Sequence, residues 1–492
     1  MFVKRLIYRR PSLQPLIRHC SQANSTLNSQ ANSASEPTFD DDEDQKPPQK
    51  LKYRPQVKAV IDAKLTEDLS SKTIVARKHP GANQLKATLL PEHIAATFEK
   101  VIGDHPPKQL TKDAVFLDNY LKARHAPAEQ HEIRSRMKAI QLEVEQKFNI
   151  DTSQLSEDDF RRYQKNVDAE TKKILKSRVF AWKALEFDEY RSRMYLFARS
   201  AADYAAINAC LKEIIRRDPN FRPASFFDFG SGVGTGTWAA SNYWKNTIYE
   251  YFNVDSSGPM NDLAELILKG GDENKKISLK NVFYRQFLGA PTTSYDLVLS
   301  AFSLIELPNR KARLETLANL WARCSGYLVL IELGTNTGFK LIHEARSFIT
   351  SLRDDDEQGE GYLFAPCPQE GLCPRFEDEN DKSPCNFEVK YFPLPFFNQN
   401  EPRKDKFSYV IFKKNGKRED DPAVAWPRCV RPTIAKPRHT FCRICTKEGC
   451  LQEVVFTPGK HGKQAYQLGK RSRWGDQLPM ELEVVQKDEN KE

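Results

Sequence analysis

The stretch SFFDFGSGVGTG, residues 225–236, limits what this chain can become more than any other. Bulky apolar residues broken only by Asp228 read as a buried strand, and they run directly into glycines at 230, 232, 234 and 236. With no Cβ, glycine takes left-handed backbone angles without strain, so such a turn brings backbone amides and a helix start close to a polar or anionic ligand. A strand that empties into this kind of turn belongs inside an open sheet, with the ligand beyond the carboxyl ends of the strands. The dinucleotide fingerprint G-x-G-x-x-G is not met, because it needs glycine at 235 and Thr235 stands there.

The residues that follow alternate strand and helix. IYEYFNVD (248–255), VFYRQF (282–287), YDLVLSAFSL (295–304) and GYLVLIEL (326–333) read as strands, and a helix over Asn309–Arg323 precedes the last of them. This order predicts an α/β fold with a mainly parallel sheet covered by helices on both faces. A helix over Phe339–Arg353 and two closing strands, FEVKYFPL and FSYVIFKK (407–414), complete it. The acid-x-G-x-G-x-G spacing resembles the glycine loop of class I S-adenosylmethionine methyltransferases, which have a Rossmann-like fold. The resemblance implies cofactor contacts at Asp228, Gly230, Gly232 and Gly234, with Asp255 accepting hydrogen bonds from the ribose hydroxyls.

No catalytic residue is assigned. The fourth strand ends SAFSLIEL, without the N/D-P-P-Y type loop that amino-group methylation uses in that class. Cytosine C5 methylation needs a thiolate beside the cofactor, and Cys324 lies at the opposite end of the sheet. No acid occurs between Asn281 and Tyr295 to contact an adenine, and a solvated helix start accounts for Ser300, Ser303 and Glu306. Weak or absent methyl transfer is the expectation, and an active S-adenosylmethionine-dependent RNA methyltransferase the alternative.

Ahead of the sheet, Lys4, Arg5, Arg9, Arg10 and Arg18 lie in a stretch with no acid before Glu36, the make-up of a mitochondrial transit peptide. This assigns residues 1–35 to a presequence and 36–56 to an acidic, proline-rich linker, and places the protein in the matrix. Residues 57–181 read as mostly helical. Ser156 and Asp159 form a capping signature, and Tyr204, Ile207, Leu211, Ile214 and Ile215 make one helical stripe that should pack on the sheet. No run reaches 18 consecutive apolar residues, so no membrane partner is expected.

Seven of the ten cysteines fall between Cys367 and Cys450, which in a reducing compartment favours a metal centre over disulfides. LFAPCPQEGLCP holds Cys367 and Cys373, Cys385 follows in the same loop, and RHTFCRIC holds Cys442 and Cys445 beyond the closing strands. Three thiolates from the loop and one from the later stretch would tie two excursions of the chain together. Zinc sites usually draw on two close C-x(2 to 4)-C pairs, of which Cys442 and Cys445 make one. The wider gaps suit a [4Fe-4S] cluster equally well.

Between Pro422 and Gly475, eleven Lys or Arg stand against Glu448 and Glu453, a balance equal to the net charge of +9 for the whole chain. Arg428, Arg431, Lys436, Arg438, Arg443, Lys463, Lys470, Arg471 and Arg473 are interleaved with Trp426, Phe441, Tyr466 and Trp474, which suits an RNA partner.

Together with the glycine loop, the stretches LFAPCPQEGLCP, WPRCVRPTIAKPRHTFCRIC and SRWGD resemble the methyltransferase-like 17 family of mitochondrial small-ribosomal-subunit assembly factors over roughly Trp182 to Pro479. The resemblance implies a [4Fe-4S] cluster on Cys367, Cys373, Cys385 and Cys445, with Cys442 the rival for the fourth place. It also implies the mitochondrial small subunit, its rRNA and other small-subunit assembly factors as partners. The domain reading that results is a methyltransferase-like core over 182–353, a cysteine-rich and basic module with the closing strands over 354–479, and a flexible tail over 480–492.

Overall fold

The computed structural model describes residues 56–83, 85–178, 182–354, 361–378, 382–397 and 401–484. The expected presequence and all of the linker up to residue 55 lie outside them. Strand β1 (Val57–Val60) opens the described chain. The helices of two turns or more that precede the sheet are α1 (Ala63–Ser70), α2 (Pro107–Ala123), α3 (Gln130–Phe148), α4 (Glu157–Arg178) and α5 (Glu189–Arg217). At the start of α4, Asp159 N–H donates to Ser156 Oγ at 3.2 Å, the cap expected there.

The central sheet contains β2 (Ser225–Phe229), β3 (Glu250–Val254), β4 (Val282–Arg285), β5 (Tyr295–Ala301), β6 (Cys324–Leu333), β7 (Tyr362–Ala365), β8 (Phe387–Tyr391) and β9 (Arg403–Lys413). Its order is β4-β3-β2-β5-β6-β9-β7, with β8 also on β9. Strands β2 to β6 pair in parallel, while β9 runs antiparallel to β6, β7 and β8. The connecting helices are α6 (Thr235–Trp244), α7 (Gly258–Leu268), α8 (Arg310–Arg323) and α9 (Asn336–Asp354). This is the expected doubly wound α/β sheet, and the strand order reverses between β2 and β5. A crevice therefore opens beyond the carboxyl ends of those two strands.

Both faces of the sheet are buried, so its strands read as continuous apolar runs. Phe226, Leu297, Leu299, Val329 and Ile331 face one core with Tyr204, Ile207, Leu211 and Ile214 of α5. Phe227, Val298, Leu328 and Leu330 face the other, with Leu317 and Leu320 of α8 and Leu341, Ala345 and Ile349 of α9. Among the described residues, no helix is long and apolar enough to cross a membrane.

The C-terminal module is a small sheet of β10 (Arg428–Cys429), β11 (Ile434–Ala435), β12 (Thr440–Cys445) and β13 (Leu451–Phe456), in which β12 pairs with the other three. Helix α10 (Pro458–Arg471) packs on it, and β14 (Glu481–Val484) pairs antiparallel with β1.

The expected boundaries change in three ways. Residues 481–484 are not a loose tail: Leu482 is buried in one cluster with Val57, Phe456 and Leu468, so β14 closes the module's core. For the same reason β1 and its neighbourhood belong with that module rather than with a helical unit over 57–181. Strands β7, β8 and β9, assigned to 354–479, complete the central sheet, and YLFA supplies a third closing strand that was not expected.

Candidate metal centre and nucleotide cleft

Strands β7 and β8 share one edge of β9, with β8 along Arg403–Phe407 and β7 along Ile411–Lys413. The loop between them is thus clamped at both ends, and it carries Cys367, Cys373 and Cys385. Inside the loop, Glu370 accepts Leu363 N–H at 2.6 Å and Arg353 Nη1 at 2.7 Å, while Arg418 donates to Pro368 O at 2.6 Å. Arg346 of α9 reaches Gln369 O at 3.2 Å and Gly371 O at 2.7 Å. From the C-terminal module, Arg431 donates to Ser383 Oγ at 2.5 Å and Pro384 O at 3.2 Å.

These anchors bring Cys367, Cys373 and Cys385 to the wall of one small cavity, which Cys445 and Arg428 also line. Burial pushes the Cys385 thiol up to about 12, with the charges of Cys373 and Cys367 adding to it. Burial likewise raises Cys373 and Cys445, with neighbouring thiols contributing in both cases. Left to themselves the buried thiols stay protonated, whereas a bound metal deprotonates a coordinating thiol outright. Among the described residues, no group of three or more His, Cys, Asp or Glu side chains is placed to hold a metal ion.

Cys442 lies elsewhere. Side chains alternate across a strand, so two residues three apart in β12 point to opposite faces. Cys445 looks into the cavity, and Cys442 is buried in the module's core beside Cys429, with Sγ 3.5 Å from Gly469 O. This alternation was the one signal in the sequence able to separate the two.

At the crevice, Gly230, Gly232 and Gly234 have φ of 71°, 52° and 89°. A Cβ on Gly230 would collide with Ser303, and one on Gly236 with the Asp228 carboxylate. Asp255 accepts Gly232 N–H and Ser257 N–H, each at 2.9 Å, which fixes the turn against the end of β3. Each carboxylate oxygen keeps a further lone pair for a ligand hydroxyl. Asp228 is 2% exposed; burial, then the Asp255 charge, pushes its carboxyl up to about 8, so it is neutral near pH 7.

The far wall of the crevice is occupied by the chain itself. Trp182 Nε1 donates to Ile305 O at 3.0 Å and Ser257 Oγ to Phe187 O at 2.7 Å. Glu306 is engaged by the Arg124 guanidinium and, at 3.4 Å, by Leu185 N–H. Ser300 and Ser303 bond each other at 2.6 Å.

The basic surface is smaller than the sequence suggests. Lys436, Arg438, Lys463, Arg471 and Arg473 are exposed on the β11–β12 turn and around α10. Arg428 is 1% exposed and bonds Glu213 of α5, and Tyr466 is buried with its hydroxyl on Pro437 O. Both were expected on the surface; a buried carboxylate and a packed helix face claim them instead. Sequence reasoning also missed Glu213, Arg346 and Glu370, whose partners lie far along the chain or inside an irregular loop.

Known proteins similar to this chain agree on one family. A family model described as mitochondrial small ribosomal subunit Rsm22 matches residues 189–479. The human ribosome assembly protein METTL17, mitochondrial, is 34% identical over 407 residues, covering 82% of this chain and 86% of that protein. The Rsm22-cox11 tandem protein 2, mitochondrial, of Schizosaccharomyces pombe is 27% identical over 342 residues, 59% of this chain and 43% of that protein. Similar solved structures include the plantazolicin methyltransferase BpumL in complex with SAH, at 13% identity and TM-score 0.28, covering 58% of this chain and 99% of that one. Magnesium protoporphyrin IX methyltransferase from Synechocystis with bound SAH has 10% identity and TM-score 0.29, covering 48% and 91%. At such scores the fold assignment rests on strand order and direction. On the sequence matches, the chain belongs to the mitochondrial small ribosomal subunit Rsm22 family.

Proposed function

We propose that this protein is an assembly factor of the mitochondrial small ribosomal subunit, working in the matrix beside other assembly factors and binding the subunit's rRNA through its C-terminal module. A [4Fe-4S] cluster on Cys367, Cys373, Cys385 and Cys445 braces that module against the methyltransferase-like core. The observation that carries this reading is the meeting of three cysteines from the β7–β8 loop with one from β12 on a single cavity. A zinc ion takes its sulfurs at about 2.3 Å, which draws them nearly into contact. A four-iron cube is a larger body that reaches thiolates across a cavity, and its ligands are four cysteines. The exposed cations of the β11–β12 turn and α10 supply phosphate contacts whose affinity falls with salt.

The test is direct. Anaerobically purified protein should show iron–sulfur absorbance and the Mössbauer spectrum of a cube. Cys367→Ser should lower soluble yield and ribosome co-sedimentation together; unchanged yield and binding would contradict the bracing role.

The preformed glycine turn favours a second reading, in which S-adenosylmethionine still binds. Gly230, Gly232 and Gly234 leave backbone room for it, and Asp255 presents acceptors for its ribose. When bound, the cofactor supplies an electrophilic methyl group. The chain's own residues bind and orient, while Glu306, tied to Arg124, is not free to act as a base. Binding without transfer is expected. A methyl mark on mitochondrial rRNA that is restored by the native protein, and not by a correctly folded Gly232→Arg variant with normal RNA binding, would establish an active methyltransferase instead.

A further inference from the structure

The cysteine cavity is lined by the buried guanidinium of Arg428, and the buried guanidinium of Arg346 holds two carbonyls of the loop that carries the cysteines; the fold leaves both groups partly unsatisfied. Arg428 is 1% exposed and Arg346 is 5% exposed. Arg428 uses its terminal nitrogens on Glu213 Oε1 at 2.5 Å and Gly475 O at 2.9 Å. Arg346 uses Nη2 on Gln369 O and Gly371 O. In both residues Nε has no hydrogen-bond partner among the described residues. Buried polar groups are nearly always paired, and an orphaned charged donor is costly enough that its acceptor has to be sought.

The acceptor has to lie toward the cavity. Arg428 stands directly opposite Cys445 in the β10–β12 ladder, so the two side chains share one face, and both line the cavity. Its positive charge is also favoured by Cys367. Arg346 acts from the α9 side: it is tied to the cysteine loop through Gln369 O and Gly371 O, and Gln369 itself lines the cavity. One unsatisfied donor thus lies in the wall of the cavity that the four cysteines line, and the other beside the loop that supplies three of them.

We propose that Arg346 and Arg428 donate their Nε–H groups to sulfur atoms of the four-thiolate centre and set how readily it accepts an electron. This rests on the iron–sulfur reading. An oxidised cube with its four thiolates carries a net charge of about −2 and a reduced one about −3, and hydrogen bonds to sulfur and nearby positive charge favour the more negative state. Glu213 neutralises much of the charge on Arg428, whereas Arg346 is held by carbonyls. Arg346 is therefore the stronger lever.

The experiment is a spectroelectrochemical titration of the full chain, purified anaerobically, as native protein and as Arg346→Gln, Arg346→Lys and Arg428→Lys. Arg346→Gln should move the one-electron midpoint negative by at least a tenfold change in the reduction equilibrium, about 59 mV. Arg346→Lys and Arg428→Lys, which keep the charge and lose Nε–H, should move it less and in the same direction. A cube whose midpoint is unchanged in Arg346→Gln overturns the proposal while leaving the iron–sulfur reading intact. Native protein with no cluster signal overturns that reading instead. Should the variants fail to retain the cluster, native protein carrying nitrogen-15-labelled arginine decides the question. Hyperfine coupling from arginine nitrogen to the reduced cluster is expected, and its absence overturns the proposal.

Discussion

The glycine turn and the cysteine cavity both form where strands end, and they are assembled in opposite ways. The turn is made by neighbours in sequence: Gly232 is held by Asp255 from the adjacent strand, and three left-handed glycines lie within five residues. The cavity gathers a loop hung from both ends of β9 and the last residue of β12, across a boundary that Arg428–Glu213 and Arg431–Ser383 also bridge. A local motif keeps its geometry whatever happens elsewhere in the molecule. On the proposed reading, a centre built from distant pieces would also be a fastener, and losing one ligand would undo a joint as well as a site.

Substitutions that act on one region and spare the other test this contrast. The largest effect should come from Cys445→Ser, which removes a cavity ligand and should abolish the iron–sulfur chromophore and the module's attachment. Cys442→Ser, in the module's core and outside the cavity wall, should keep the chromophore and cost ~1 kcal/mol for a polar group buried in an apolar core. Next comes Glu213→Ala, which strands the buried Arg428 charge and should destabilise the protein by ~3–5 kcal/mol in denaturant titration. If chromophore and fold survive that change together, the joint is held by the thiolates alone.

At the other region, Gly230→Ala should cost ~1–3 kcal/mol, since it puts a side chain at positive φ against Ser303, yet leave the iron–sulfur spectrum untouched. A bleached cluster in that variant would break the contrast. The smallest effect concerns pH. The folded chain keeps a proton on Asp228 up to about pH 8, while the unfolded chain releases it near the ordinary value of 3.8. This contribution is therefore complete at low pH and is lost as pH rises toward 8. Asp228→Asn should flatten that decline and gain stability on the native protein as pH rises toward 8. Thermal unfolding across the range measures it.

The same contrast governs what the sequence discloses. Strands β2, β5 and β6 are legible because two buried faces write continuous apolar runs, and the helix stripe Tyr204, Ile207, Leu211, Ile214 repeats at helical spacing. The glycine turn is legible because its backbone angles need its residues. YLFA escaped notice because four residues before a proline carry too little pattern, and ELEV because charged neighbours hide a half-buried edge. Arg428 was misread as surface: nothing local separates an arginine bound for solvent from one paired with a carboxylate 215 residues away. The convergence of Cys367, Cys373 and Cys385 with Cys445 follows from how β9 and β12 are laid out, which is a property of the whole topology.

The pairing of β1 with β14 has a consequence for the order of events when the chain is made. Val57–Val60 leaves the ribosome early and finds its partner only after Glu481–Val484 has emerged. Until then Val57, Phe456 and Leu468 lack the cover that Leu482 provides. A chain interrupted before Glu481 leaves that apolar surface uncovered, open to chaperones and proteases.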